Sequence, residues 1–227
     1  MSAETLEKAI EKKPAEALLS KRRRKLVSDP LVDENPVTIQ VLGICSALAV
    51  TTQMQPTLVM AISVTFVIAL SNLVISLMRN TIPSRVRIIV QLAVVATLVT
   101  VVSEVLKAFA YDMYKELSVF IGLIITNCIV MGRLEAFAMG NKPYDSMLDG
   151  LGSALGYSWI ILTVAFFREL WGSGSVFGIQ VFDMVSGLFG PDFNLATNGL
   201  MVTPVGAFII LGLIVWVQRT KTGYVEH

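Results

Sequence analysis

Residues 57 to 78 read TLVMAISVTFVIALSNLVISLM, a run of 22 residues without one charged side chain. As a helix it would be about 33 Å long, and a bilayer interior is the solvent that suits an apolar surface on every side. Residues 88 to 110, 148 to 167 and 200 to 217 are comparably apolar, with Glu104, Lys107 and Asp149 their only charged residues, while 36 to 53 and 117 to 133 are apolar but interrupted by polar residues. The spacing predicts about six crossings. Composition agrees, with 54% apolar residues, 15% charged residues and a mean hydropathy of +0.69, outside the usual soluble range. The expected fold is all-α and polytopic, a single compact helical bundle.

The two interrupted segments hold the only cysteines, Cys45 in PVTIQVLGICSALAVTTQ and Cys128 in LSVFIGLIITNCIVMGR. Each opens a unit of three crossings, residues 36–110 and 117–217. An odd number of crossings makes the second unit run opposite to the first, an inverted 3+3 repeat of the kind that places a site near the midplane. Polar residues follow each cysteine, Thr51, Thr52 and Gln53 in one case and Gly132, Arg133 and Glu135 in the other. The first and fourth helices are therefore expected to be broken there. Helix rise puts Cys45 roughly 14 Å in from one face, counted from Pro36, and Cys128 roughly 16 Å in from the other, counted from Leu117. These depths sum to about 30 Å, the hydrocarbon thickness, so both thiols are expected in one plane. Irregular backbone at that depth has to be covered by protein.

Charge placement gives an orientation. Residues 1–34 form a charged extension with eight Lys/Arg, five of them in KRRRK (Lys21 to Lys25), against seven Asp/Glu. The run reads as an anchor on the positive-inside side of a membrane. A net charge of +1 gives no basis for nucleic acid binding, and the first apolar run starts too late for a secretory leader. Asn35-Pro36 has the form of an N-cap followed by proline at the first helical position. Six crossings with the N-terminus inside put 15 of the 18 Lys/Arg in the cytoplasm. Lys107, Lys115 and Arg168 remain outside. Both termini, including the tail 220–227, are expected to be cytoplasmic, flanking a membrane domain over residues 35–219.

Several smaller features have plain readings. Glu104 and Lys107 lie three apart and can pair near the interface. Gly152 and Gly156 form a small-xxx-small pair that lets helices approach. The loop GSGSVFG (Gly172 to Gly178) lacks the lysine of a phosphate cradle and reads as a turn.

The two thiols leave two readings open. A buried Cys commonly packs as a small apolar residue. Alternatively, Cys45 and Cys128 are half of a metal site, because tetrahedral sulfur coordination of iron or of an iron-sulfur cluster usually takes four cysteines and a second chain could bring two more. The sole histidine, His227, argues against haem or a His-rich site.

The stretches LGICSALAVTT (Leu42 to Thr52), LSVFIGLIITNCIVMGRLEAFAM (Leu117 to Met139), LDGLGSALGY (Leu148 to Tyr157) and FFRELWGSG (Phe166 to Gly174) resemble a family of membrane proteins. These are the D-type and E-type members of bacterial sodium-translocating NADH:quinone oxidoreductases (Nqr complexes) and their counterparts in Rnf complexes. The resemblance covers about Asn35 to Arg219, and Ser46-Ala47-Leu48 after Cys45 is similar to the D-type members. It implies a six-helix component of a redox-driven sodium pump in the inner membrane, paired in opposite orientation with an E-type partner and accompanied by the A, B, C and F components of the complex. It further implies that Cys45 and Cys128 share an iron centre, a [2Fe-2S] cluster, with two cysteines of that partner and so relay electrons across the membrane. No flavin is implied here, since the Ser-Gly-Ala-Thr attachment motif of the flavin-bearing components is absent, and no complete active site is expected in this chain alone.

Three other readings compete. One is the equivalent component of an Rnf ferredoxin:NAD+ oxidoreductase. A secondary transporter would gather polar groups at a midplane site, for which Asn72, Gln91 and Asn127 are the candidates. In a structural scaffold both cysteines would be packers.

Overall fold

The computed structural model describes residues 26–31, 35–83, 85–177, 179–180 and 199–222. The KRRRK run, the connection over residues 181–198 and the last five residues lie outside them. In chain order the described residues form α1 (Ile44–Val50), α2 (Met54–Met78), α3 (Arg87–Phe109), α4 (Tyr111–Ile125) and α5 (Cys128–Arg133), which runs into a π turn over Leu134–Ala138. Then follow α6 (Pro143–Gly172), a two-residue antiparallel pair β1 (Ser175–Val176) and β2 (Ile179–Gln180), α7 (Gly199–Val202) and α8 (Pro204–Thr222). The chain is thus a polytopic membrane protein of the all-α class, nearly all helical apart from the β1–β2 pair. Among the described residues four helical stretches are long and apolar enough to cross a bilayer, Met54–Met78, Arg87–Phe109, Ser118–Ala138 and Pro143–Gly172, with Pro204–Thr220 a shorter apolar helix. Ser175 and Val176 of the GSGSVFG run form β1, with Ser175 opposite Gln180.

The core lies between α2 and α6. Met60, Val64, Val67 and Ile68 of α2 are buried with Ala154, Ile161 and Val164 of α6. Gly150 admits Asn72, since a Cβ there would stand 2.5 Å from its Nδ2, and that Nδ2 donates to Ser146 O at 3.1 Å. Helix α3 is peripheral, burying only Gln91, Val95 and Val99. Its exposed Thr97 and Thr100 turn their hydroxyls back to Ala93 O and Ala96 O of their own helix, so neither hydroxyl faces lipid as an unpaired donor. Glu104 and Lys107 pair at 3.9 Å on the exposed surface of this helix, as their spacing predicts.

Two glycines do something other than the sequence suggests. A Cβ on Gly152 would fall 2.6 Å from Leu26 O, and one on Gly156 would collide with Pro30 O. The small residues therefore admit the backbone of Leu26–Leu31, not a neighbouring membrane helix. By sequence that segment belongs to the charged extension, yet it packs on α6. Asn35 closes the arrangement by donating from Nδ2 to Gly156 O at 3.1 Å.

The first apolar segment starts as its cap predicts. Asn35 Oδ1 accepts from Val37 N at 3.0 Å, and one helical turn follows, with Ile39 N donating to Asn35 O. It does not continue, because Val41 and Gly43 take left-handed φ of 57° and 79°. A β-branched residue disfavours that region, so the stop is enforced by the surroundings. The chain re-enters helix as α1 and breaks again at Thr51–Gln53, where the polar residues predict it. The fourth segment differs from expectation. Its break falls at Thr126–Asn127, before Cys128. Gly132 and Arg133 remain helical and pass into the π turn, since Asp149 and Arg87 supply polar partners that let the helix continue. Arg133 Nε donates to Asp149 Oδ2 at 3.0 Å with a second bond from Nη2 to Oδ1, and Glu135 is paired with Arg87 and accepts from Gln91 Nε2 at 3.0 Å.

Irregular backbone among membrane helices has to be satisfied from within. At the first break this is done from α6. Arg168, only 1% exposed, donates from Nη1 to Leu48 O (3.2 Å) and Thr51 Oγ1 (2.7 Å), from Nε to Met201 O (3.1 Å), and from Nη2 to Val202 O (2.7 Å) and Thr203 O (3.2 Å). It thus serves the C-terminal ends of both α1 and α7. The next residue, Glu169, accepts from Met54 N, placing a carboxylate at the start of α2, where helix polarity favours it. Charge counting assigns Arg168 to the non-cytoplasmic side of the membrane. Its place is inside the bundle, because the two interrupted helix ends present carbonyls that need a forked donor.

Candidate metal centre at two half-helix starts

Cys45 is the second residue of α1 and Cys128 the first of α5. Both thiols are free and exposed. The residues beside them are buried and joined. Asn127 Nδ2 donates to Ser46 Oγ at 3.2 Å, and Tyr157 Oη lies 2.7 Å from the same oxygen. The Ser46 hydroxyl also lies 2.9 Å from Gly43 O, and either hydroxyl can be the donor in the Ser46–Tyr157 bond. Asn127 Oδ1 accepts from Ile129 N at 3.2 Å, capping α5. Gly43 is held in the same knot. Beyond its positive φ, a Cβ there would stand 3.1 Å from Ile129 Cδ1 and 3.2 Å from Tyr157 Cε2.

The depth expected for Cys45 assumes a continuous helix from Pro36, which the stop at Val41 and Gly43 removes. Another ruler is present in α6. Tyr157 is the fifteenth residue of that 30-residue helix, and its hydroxyl reaches the residue beside Cys45. Asp149 and Arg168 stand eight residues before it and eleven after it, about 28 Å apart along the helix axis. The knot is therefore at the middle of the longest described helix, with buried Asp149 toward one end and buried Arg168 and Glu169 toward the other.

The donor set fits one half of a sulfur-ligated iron site. Two exposed thiols adjoin residues that are hydrogen bonded to each other, and soft thiolates are the ligands that iron-sulfur centres take. The half is not a whole: among the described residues no group of three or more His, Cys, Asp and Glu could hold a metal ion. Closure would need ligands from another chain, and exposure of both thiols permits it.

The polar residues weighed for a transporter site do not gather. Asn72 bonds to Ser146, about 16 Å along α6 from Tyr157. Gln91 belongs to the Glu135 group, and only Asn127 joins the knot. Sequence reading missed Ser46, Tyr157, Asp149, Arg168 and Glu169. Ser46 carried a signal, its place beside a cysteine. Tyr157 carried a weaker one, as a hydroxyl-bearing ring in the middle of an apolar run.

Comparison with known proteins bears on the same residues. The chain matches the family described as "Rnf-Nqr subunit, membrane protein" over residues 24–215, a range that includes Leu26–Leu31 and both cysteines. It is 54% identical over 202 residues to the D component of the Na(+)-translocating NADH-quinone reductase of Photobacterium profundum, covering 88% of this chain and 93% of that protein. Over 203 residues it is 52% identical to the D component of the same reductase from Shewanella halifaxensis, covering 88% and 94%. With interrupted membrane helices, paired half-helix starts and a match spanning most of its length, the chain belongs to the Rnf-Nqr family of membrane proteins.

Proposed function

We propose that this chain is the D-type membrane component of a Na+-translocating NADH-quinone reductase, and that Cys45 and Cys128 hold an iron-sulfur centre of [2Fe-2S] type together with two cysteines of an E-type partner. The observation that carries the reading is the pairing of two exposed thiols whose neighbours, Ser46 and Asn127, are hydrogen bonded at 3.2 Å. When bound, such a centre provides a one-electron relay in the middle of an apolar slab of about 30 Å. The names of the D-type relatives support the sodium-pumping complex over an Rnf-type one.

The chain's own residues have defined tasks in this reading. Cys45 and Cys128 present sulfur outward, to a partner. Ser46, Asn127 and Tyr157 use their hydrogen bonds on one another and on nearby backbone, so none competes for the sulfurs. Buried Ile129, Val130, Ala47 and Val50 back the two half-helices with apolar surface and keep water from behind the site. The E-type partner would lie in the opposite orientation, as an inverted repeat within one chain suggests for a related pair. The basic N-terminal extension and tail would face the cytoplasm at the inner membrane.

Iron and acid-labile sulfide content, with EPR of the dithionite-reduced complex, tests the proposal on wild type, Cys45→Ala and Cys128→Ala. The expected result is iron and sulfide in wild type and their loss in either variant while the complex still assembles. A wild-type complex that reduces quinone without iron at this position would return both cysteines to a packing role.

A further inference from the structure

We infer that Tyr157 is a positioning residue for the two thiols, acting through Ser46 and Asn127 to set the relative placement of Cys45 and Cys128; the inference rests on the iron-sulfur reading of those cysteines. Three separate pieces of chain meet at the Ser46 hydroxyl. The loop before α1 comes in through Gly43 O, the break before α5 through Asn127 Nδ2, and α6 through the Tyr157 hydroxyl. Neither cysteine-bearing half-helix is long enough to be stable alone, at seven and six residues. Their placement must come from what they bond to, and α6 is the long element whose side chain reaches this meeting point.

The convergence on one atom strengthens the point. Ser46 Oγ is within hydrogen-bond distance of Gly43 O, Tyr157 Oη and Asn127 Nδ2, at 2.9, 2.7 and 3.2 Å. Removing the Tyr157 hydroxyl would leave the Ser46–Asn127 bond to tie the two starts together, with no hydrogen bond from that tie to α6. Tyr157 is fully buried, and its ring also fills the space where a side chain on Gly43 would go, 3.2 Å from that Cβ position. Phenylalanine keeps the ring and removes only the tether. The hydroxyl and the packing can thus be separated.

The experiment compares Tyr157→Phe, Ser46→Ala and Ser46→Thr with wild type in the intact complex, reading iron and sulfide content, the EPR spectrum of the reduced centre and its midpoint potential. We expect Tyr157→Phe and Ser46→Ala to assemble with the wild-type iron complement. Their EPR spectra should broaden, and the one-electron equilibrium should shift about three- to tenfold, the scale of one net hydrogen bond. Ser46→Thr, which keeps the hydroxyl, should stay close to wild type. A role limited to packing would leave the spectrum and potential unchanged in Tyr157→Phe, and that result overturns the inference while leaving the iron-sulfur reading intact. Wild type without iron overturns the reading itself. Should Tyr157→Phe fail to assemble, Ser46→Ala carries the test with the same two outcomes.

Discussion

The break after α1, which carries Cys45, and the break before α5, which opens with Cys128, are made in different ways. The second is built from residues beside it. Asn127 caps α5 with its own side chain, and Thr126 returns its N–H and hydroxyl to Gly122 O. The first adds remote partners to local ones: Thr51 and Thr57 donate to Ala47 O, Val50 O and Gln53 O, while Leu48 O, Thr51 Oγ1 and the Met54 amide are met by Arg168 and Glu169, between 115 and 120 residues further along the chain. A locally capped break can form as soon as its own residues are in place. A remotely capped one depends on the whole bundle, and so its stability reports on tertiary structure.

Arg168→Ala should separate the two most sharply. It leaves four carbonyls and the Thr51 hydroxyl without their donor, about 3 kcal/mol at the ~0.6 kcal/mol typical of a polar contact between membrane helices. Labelling of Cys45 by a maleimide should accelerate while that of Cys128 stays near wild type; equal acceleration of both would erase the distinction. Gly43→Ala is next. A left-handed φ costs a non-glycine residue about 1–2 kcal/mol, and the added methyl presses on Ile129 and Tyr157. Reduced thermal stability of the assembled complex is the expected outcome. Asn127→Ala should cost about 1 kcal/mol, the value of a helix cap. Hydrogen exchange should rise over residues 126–133 before it rises over residues 44–51. Glu104→Gln touches neither break. Its pair with Lys107 is exposed, so stability should change by less than about 0.5 kcal/mol, and a larger loss would mean that this face of α3 is buried against another chain of the complex.

The same contrast decides what is legible in the sequence. The long spans are legible because an unbroken apolar run has one physical solution: residues 57 to 78 are expected and Met54–Met78 is observed, and 88 to 110 becomes Arg87–Phe109. The Asn35 cap and the Glu104–Lys107 pair are legible because both act within a few residues. The position of the second break is misleading. Polarity after Cys128 points to Gly132 and Arg133, while the decisive polar residue is Asn127, whose side chain replaces a backbone partner. Arg168 is unreadable by pattern. A charged residue near the end of an apolar run is ordinarily a boundary marker, and only the carbonyls of α1 and α7, brought together in space, give it another use. Gly152 and Gly156 are rightly marked as sites of close approach, but what approaches them comes from the opposite end of the chain. The candidate cysteines stand out by their rarity and their spacing in the two units; the tyrosine behind them has no partner visible in sequence.

The capping of the first break by Arg168 also sets an order of events during synthesis. Leu48 is made 120 residues before the arginine that binds its carbonyl, an interval of about 6 to 24 s at ~5–20 residues per second. Through that interval Leu48 O and Thr51 Oγ1 are without that donor, and for most of it the groove of Gly152 and Gly156 that receives Leu26–Leu31 does not yet exist. The segment that carries Cys45 is thus made early and finished late, and a chain that stops before Arg168 leaves Leu48 O and Thr51 Oγ1 without the guanidinium that joins them to α6.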